Sequence, residues 1–275
     1  RSVRRRWPRL VSAAHDDPAV NVCHVIVLLP PSETKRTGGD GPALDLAVLR
    51  SAELTGLREA LVGELIELAA DPAASRRALG ISVAQGGEIE RNANLRTTPT
   101  LPAIHRYTGV LYDALDFGSL RAVDADRARS RLAIGSALFG LLRTDDMIPA
   151  YRLSASAKLP DRPRLSVRWR PVLEPVLADL ASRELIVDLR SGAYVGLGRI
   201  DGAVAVDVVA EHPDGRRSVI THFNKAHKGR LARVLAVARS EPCDAAAVAT
   251  LARRAGMRVE REANELTIVV PAVRE

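Results

Sequence analysis

The chain has 275 residues, of which 47% are hydrophobic and 27% charged, with 19 Gly, 16 Pro and 2 Cys. Collagens, coiled-coil rods and wholly disordered polymers are excluded, because enough aliphatic residues are spread along the chain to build a core. The formal net charge of +7 suits anionic partners such as nucleic acids, nucleotides or phosphorylated metabolites. The Arg-rich composition of a GC-rich genome explains the same charge equally well.

The predicted elements start with a buried strand over residues 21–29, a β-branched run that ends at Pro30. A Gly-rich loop separates it from a helix whose leucines recur at helical spacing and which ends before Asp71. Further helices are predicted over residues 81–95, 123–134, 167–182, 225–240 and 244–255. Further strands are predicted over residues 184–189, 203–210, 217–223, 257–261 and 265–270, with a hairpin signal, HPDG, after the second.

Strands and helices intermix without a strict βαβ rhythm, so an α+β and an α/β fold both stay open. Residues 97–104 are predicted to form an extended connector. The apolar segment that follows residue 134 is interpreted as a short helix or strand that turns sharply at Arg143 to Asp146.

The two cysteines, Cys23 and Cys243, lie far apart and match no pattern typical of a zinc site, a redox pair or a disulfide framework. Their isolation indicates a reducing cytoplasm, and Cys23 is interpreted as a packing residue of the first strand. The apolar part of the basic N-terminal segment is too short for a signal peptide. No stretch approaches the roughly 20 apolar residues that span a bilayer. We therefore expect a cytoplasmic protein without a membrane partner.

Familiar cofactor and metal templates do not match. The sequence has no Gly-Lys-Ser or Gly-Lys-Thr loop, and the spacing of Gly196, Gly198 and Gly202 is one residue too long for a dinucleotide loop. His222 and His227 lie five residues apart, on different helix faces. No cofactor and no metal ion are therefore expected.

Polar residues concentrate in five segments that are otherwise apolar or tightly turning: residues 30–35, 106–109, 136–152, 189–194 and 222–233. The first follows a strand, and the carboxyl ends of strands in open sheets carry ligand-contacting groups. Arginines in the third could grip a phosphate in bidentate fashion, or pair with neighbouring aspartates. Solvated turns, core tyrosines and a solvated basic helix are the alternative interpretations of the other segments.

These segments read VIVLLPPSETK, RYTGVLYDAL, SALFGLLRTDDMIPAYRL, VDLRSGAY and HFNKAHKGRLAR. In this order and at these distances they resemble the peroxide-stress YaaA family of bacterial cytoplasmic proteins, and its actinobacterial branch in particular. The similarity runs from about Val25 to beyond Ala238. Residues 1–24 therefore look like a basic extension outside a family domain of residues 25–275, and a start at Val25 is one explanation of the extension.

The resemblance implies a single compact α+β domain of YaaA-like topology, with the five segments lining one positively charged cleft. Such proteins are linked to survival of hydrogen peroxide, to limiting free iron, and to binding DNA through the cleft and a helix-hairpin-helix-like element. By position that element falls on residues 136–153. The sequence departs from the family by having Arg143, Thr144 and Asp145 where relatives often have Arg-Pro-Leu.

Carried onto this sequence, the resemblance places one set of residues towards a phosphate backbone: Lys35, Arg143, Tyr151, Arg152, Lys225, Lys228 and Arg230. A second set supplies hydroxyl and amine groups that could act in catalysis: Ser32, Lys35, Tyr107, Ser136, Ser191 and Tyr194. The expected partner is double-stranded DNA or another phosphate-bearing anion, and no stable protein partner is expected.

Two functions follow, and a third is weaker. The first is a stress protein that binds DNA without sequence preference and limits iron-dependent oxidative damage. The second is an enzyme on a small anionic substrate such as a nucleotide, which requires Lys35, Ser136, Ser191 and Lys225 to converge in a partly buried pocket. The third, iron sequestration, lacks clustered ligands.

Overall fold

The structure, a computed structural model, describes residues 23–219 and 224–272. The strands in these ranges are β1 Val25–Leu29, β2 Leu101–Pro102, β3 Leu132–Ser136, β4 Gly140–Arg143, β5 Met147–Ile148, β6 Leu185–Asp188, β7 Val204–Glu211, β8 Arg217–Val219, β9 Val259–Glu262 and β10 Glu265–Pro271. The helices are α1 Thr55–Ala69, α2 Pro72–Leu79, α3 Gly87–Ala93, α4 Ala103–Arg106, α5 Val110–Leu115, α6 Ala122–Arg131, α7 Leu165–Ala181, α8 Gly192–Val195, α9 Asn224–Val237 and α10 Ala245–Arg254. Short 3-10 helices cover Ala52–Leu54, Val83–Gln85 and Phe117–Ser119.

One mixed sheet carries the fold, in the order β4-β3-β1-β6-β7-β10-β9, with β8 paired to β7. The five strands from β3 to β10 run parallel, and β4, β8 and β9 are antiparallel to their neighbours. Every residue of β1 is buried, as is typical of a central parallel strand. The mixed sheet and its intermixed helices confirm the predicted single α+β domain.

The order of the strands creates a switch point at the carboxyl ends of β1 and β6. The chain leaves β1 towards β3 on one side, whereas it leaves β6 towards β7 on the other. Ligands of open sheets bind in the crevice beside such a point. Residues 30–35 and 189–194 both leave the sheet here.

Helix α9 packs closely on α5 at this end of the sheet. A Cβ atom added to Gly229 would lie 2.2 Å from the carbonyl oxygen of Leu111, so only glycine permits the contact. The close approach holds the basic helix α9 against the segment that carries RYTGVLYDAL.

Several cations lie inside the protein, where they donate to main-chain carbonyl groups. Arg58 is fully buried and donates to the carbonyls of Phe139 and Leu141 at 2.9 Å each. The other buried cations among the described residues are Arg106, Arg131, Arg143, Arg190 and Lys228. Burial of a cation requires such partners.

The segment 136–153 differs from the helix-hairpin-helix-like element implied by the resemblance. Residues 132–136 and 140–143 form the antiparallel pair β3–β4, and residues 147–148 pair with β2. The turn between β3 and β4 is covered by Trp169, which is fully buried and donates from Nε1 to the carbonyl of Ala137 at 2.8 Å. The apolar residues on both sides of the turn favour a strand pair in the sheet core over a helical hairpin. The expectation of a helix-hairpin-helix-like element over residues 136–153 was therefore wrong.

The cysteines are paired, contrary to the interpretation of Cys23 as a packing residue. Cys23 and Cys243 form a disulfide with a Cα–Cα distance of 5.2 Å. The prediction of a cytoplasmic protein rested in part on the isolation of the two cysteines, and that premise was wrong. The cellular location of the protein stays a prediction. Across the described ranges no helix is long and apolar enough to cross a membrane. The predicted extension over residues 1–24 lies outside the described residues except for its last two.

Candidate active site

The loop after β1 is held by the segment after α4, which brings two of the predicted segments together. Lys35 and Tyr107 form an antiparallel bridge. The amide of Arg36 donates to the carbonyl of Arg106 at 2.8 Å, and the amide of Thr108 donates to the carbonyl of Thr34 at 3.4 Å. The backbone therefore positions the Lys35 side chain beside the Tyr107 ring.

Arg106 fixes the continuation of this loop. Its buried guanidinium donates to the carbonyls of Ile148 at 3.0 Å, Gly38 at 2.9 Å and Pro99 at 3.1 Å, and also to that of Arg36. One side chain thus joins the loop to β5 and to the connector before β2. Arg106 begins the predicted segment 106–109, but nothing in its sequence neighbours signals its burial.

Three buried hydroxyl groups form a chain next to the Lys35 amine. Ser136 Oγ lies 2.7 Å from Tyr151 Oη, which lies 2.8 Å from Tyr107 Oη. Ser136 Oγ also accepts the backbone N–H groups of Leu138 and Phe139, at 3.2 and 3.0 Å. The hydroxyls come from β3, from the segment after β5 and from the segment after α4, so the tertiary fold assembles them.

The backbone contacts of Ser136 decide which hydroxyl donates in its hydrogen bond with Tyr151. Because Ser136 Oγ accepts two N–H groups, its own hydrogen is donated to Tyr151. Either tyrosine oxygen can be the donor in the hydrogen bond between Tyr151 and Tyr107. When Tyr151 donates, the phenolic hydrogen of Tyr107 is the one that a ligand can accept.

The Lys35 amine lies between the two tyrosine rings. Its Nζ is 4.2 Å from the ring centroid of Tyr151 and 5.4 Å from that of Tyr107. It donates to the carbonyl oxygen of Ser32 at 2.9 Å. No carboxylate within the described ranges pairs with it. Burial, followed by the charge of Arg152, lowers the pKa of Lys35 to about 7.

Burial has the opposite effect on the tyrosines. It raises the pKa of Tyr107, Tyr112 and Tyr151 well above the ordinary value, and that of Tyr194 to about 12. These phenols therefore keep their protons at neutral pH, whereas Lys35 is divided between its amine and ammonium forms. The site combines an amine that titrates near neutral pH with hydroxyl donors.

The lowered pKa of Lys35 predicts a specific dependence of stability on pH. The unfolded chain holds the Lys35 proton up to its ordinary value of 10.5, whereas the folded chain releases it near pH 7. The unfolded state therefore binds more protons between these values, and the free energy of unfolding gains a contribution that rises with pH. Urea unfolding from pH 6 to pH 10 should show this rise in the wild type and its loss in Lys35→Met. Parallel curves for the two proteins would contradict the shift.

Arg152 is close enough to the Lys35 amine for its charge to lower the pKa of that amine. Its side chain is 12% exposed and pairs with Glu33 at 3.1 Å. The backbone of Arg152 and the side-chain amide of Asn92 exchange two hydrogen bonds of 2.8 Å. Its Nε is buried without a hydrogen-bond partner in the described ranges. Arg152 therefore places a positive charge near Lys35, and its Nε–H group is available to a ligand.

The segment after β6 completes this edge of the sheet. Lys228 is 7% exposed and donates from Nζ to the carbonyl of Leu189 at 3.2 Å. Arg190 is held by the carboxylate of Asp188 at 2.8 Å. Ser191 is exposed. Burial lowers the pKa of Lys228, whose amine supports the loop from inside.

The remaining predicted cations are not gathered at the amine. Arg143 is 6% exposed and donates to the carbonyls of Arg129 and Ser130, so the expectation that it faces a phosphate backbone was wrong. β4 directs it inward because the end of α6 presents carbonyl groups that require donors. Lys225 and Arg230 are exposed on α9.

Ser32 and Tyr194 lie at the edges of the cluster. The half-buried Ser32 has its Oγ 3.1 Å from that of Thr34. Tyr194 is half-buried, and its hydroxyl is among the groups that, after burial, raise the pKa of Tyr107. Both hydroxyls border the site.

Tyr112 belongs to the same cluster and was not singled out in the sequence. It donates from Oη to the carbonyl of Pro30 at 2.9 Å, and its ring stacks on that of Tyr107 at a centroid distance of 5.6 Å. The chain has four tyrosines in 275 residues, and all four contribute to this cluster. The scarcity of tyrosine was the signal that could have found it.

Comparison with known proteins identifies the family of the chain. The profile of the family described as peroxide stress protein YaaA matches residues 25–261. A UPF0246 protein of Corynebacterium glutamicum is 45% identical over 253 residues, which cover 90% of this chain and 100% of the relative. A UPF0246 protein of Corynebacterium efficiens is 48% identical over 240 residues, covering 86% and 95%. One of Streptomyces coelicolor is 42% identical over 243 residues, covering 87% and 93%. These relatives are actinobacterial, as the motifs predicted, and the chain belongs to the peroxide stress protein YaaA family.

Proposed function

We propose that this family member is an enzyme that acts on a small phosphate-bearing anion of the nucleotide class, with Lys35 as its general base. The observation that carries the proposal is the Lys35 amine, which lies 4.2 Å from the Tyr151 ring and is bonded to main-chain carbonyls. A general base works best when its pKa is near the working pH, and a value of about 7 meets that condition.

The neighbouring groups support distinct roles. With Tyr151 donating to it, Tyr107 would donate its own hydrogen to an oxygen atom of the substrate and share the developing charge. Ser136 and Tyr151 orient that donor from behind through the hydroxyl chain. The positive charge of Arg152 lies close enough to affect the pKa of Lys35, and its guanidinium would attract the phosphate.

Binding of duplex DNA is the second candidate, favoured by the net charge of +7 and by the exposed side chains of Lys225 and Arg230. Contacts of this kind would be insensitive to sequence and steeply dependent on salt. The cluster around Lys35 adds little to this function, since backbone binding does not require a neutral amine. A role in limiting iron-dependent damage would follow indirectly from either activity.

The test compares the wild type with Lys35→Met and with the control Lys158→Met, which removes an exposed lysine. Each protein is incubated with a mixture of ribo- and deoxyribonucleotides, and phosphorus NMR and mass spectrometry identify what is consumed. We expect the wild type to convert at least one nucleotide, Lys35→Met to lose at least about 100-fold in rate, and Lys158→Met to remain unchanged.

A labelled duplex in the same buffers separates the two candidates. Conversion that is equal in the wild type and Lys35→Met would contradict the role of Lys35. Absence of any conversion, together with salt-dependent duplex binding that weakens in Lys225→Met and Arg230→Met, would establish the second candidate instead.

A further inference from the structure

The disulfide joins two parts of the chain that lie far apart in the sequence. Cys23 precedes β1, and Cys243 precedes α10, 220 residues later. The sequence contains no other cysteine. Any reversible thiol chemistry of this chain therefore takes place at this pair.

Noncovalent contacts hold the two segments together independently of the sulfur–sulfur bond. The Glu241 carboxylate accepts the N–H of Val25 at 2.8 Å and pairs with Arg131 at 3.2 Å. Arg131 also donates to the carbonyls of Leu235 and Ala238 near the end of α9, at 3.0 and 2.6 Å. The segment that carries Cys243 is thus anchored beside the start of β1, and two thiols formed by reduction would remain neighbours.

The pair is accessible to a small oxidant. Cys243 is exposed and Cys23 is half-buried, so a small oxidant can approach the pair from the side of Cys243. Exposure of one thiol next to a second, resolving thiol is the arrangement of redox-responsive cysteines. Structural disulfides buried in a core lack this access.

We propose that Cys23 and Cys243 are a peroxide-reactive dithiol pair, and that a hydroperoxide converts them into the disulfide. The Cys243 thiolate attacks one oxygen of hydrogen peroxide, the O–O bond breaks, and Cys243 becomes a sulfenic acid as hydroxide leaves. The Cys23 thiol then attacks the Cys243 sulfur, the disulfide forms, and water leaves. Two thiols are oxidised and one peroxide is reduced to two waters.

This assignment adds a chemical basis to the peroxide stress for which the family is named, and it is independent of the function proposed for Lys35. The reaction places the response at the amino end of β1, at the opposite end of that strand from the Lys35 loop. The Glu241 contacts keep the Cys23 thiol close to Cys243. This high effective concentration would favour the disulfide within one chain over a disulfide between two chains.

The experiment uses the full chain, reduced with dithiothreitol and desalted without oxygen. One equivalent of hydrogen peroxide is added, thiols are counted with a chromogenic disulfide reagent, and intact mass is measured. We expect two thiols to disappear per peroxide, with a mass loss of two hydrogen atoms and no dimer on a non-reducing gel. In Cys23→Ser, dimedone should trap the sulfenic acid on Cys243.

Glu241→Gln tests the contribution of proximity. It removes the carboxylate charge that binds Arg131, so the disulfide should form several-fold more slowly and dimedone should trap more sulfenic acid than in the wild type. The proposal would be overturned if the reduced protein reacted no faster than free cysteine, if the product were an intermolecular disulfide, or if the oxygen were found on Met147 or Met257 while both thiols persisted.

Discussion

Arg106→Met should destabilise the protein by about 3–4 kcal/mol, because it leaves several carbonyl groups without their donor. The carbonyls of Ile148, Gly38 and Pro99 accept from this one guanidinium. Methionine fills much of the volume but donates nothing. Urea unfolding at pH 7 measures the loss, and the same variant should show faster proteolysis within residues 36–41.

Arg96→Met is the matched control. Arg96 is about half exposed and pairs with Glu59 on the surface at 2.5 Å, and such pairs contribute about 0–1 kcal/mol. Equal losses in the two variants would mean that the buried hydrogen bonds of Arg106 carry no special weight.

Trp169→Ala should cost about 4 kcal/mol, because it empties the largest side-chain volume of the core next to the turn between β3 and β4. A Cβ on Gly140 would lie only 2.6 Å from this ring, which shows how closely the indole covers the turn. The loss should extend to the site, since that turn carries the N–H groups that bind Ser136 Oγ. Thermal unfolding measures stability, and acylation of Lys35 by a limiting amine reagent reports the site.

Two variants on the same helix separate packing from hydrogen bonding. Trp169→Phe keeps most of the apolar contact and removes the donor to Ala137, so it should cost about 1–2 kcal/mol. Val167→Ala changes a side chain that is 60% exposed and should be near neutral. A large loss in Val167→Ala would indicate that helix α7 itself, rather than the indole, governs the effect.

The elements with a clear periodicity were predictable. The leucine spacing predicted α1, and Asp71 and Pro72 do mark its end, with Asp71 capping α2 by accepting two N–H groups. The buried run of β1 was equally clear. The apolar segment around Phe139 was ambiguous, because a short apolar run fits a buried strand and a buried helix alike. The segment forms strands because β3 pairs with β1, which lies about 100 residues earlier in the sequence.

The sequence also predicted the part of the candidate site that lies in the loop after β1. A loop at the carboxyl end of a strand is a frequent ligand position, and Lys35 and Ser32 lie there as predicted. Burial depends on tertiary contacts that no local sequence pattern records. The burial of Arg143 was therefore not predictable, and the residue was expected to contact a phosphate. The pairing of Cys23 with Cys243 is of the same kind, since only the folded chain places them side by side.

The buried cations change what the basic composition means for nucleic-acid binding. In the described part of the chain, six Lys and Arg side chains are buried, against one buried carboxylate, Asp146. Buried guanidinium groups neutralise carbonyl dipoles and displace no counterions from a polyanion. Counterion release depends on cations that reach phosphate groups, so the net charge of +7 overstates the affinity for nucleic acid that the composition alone would predict.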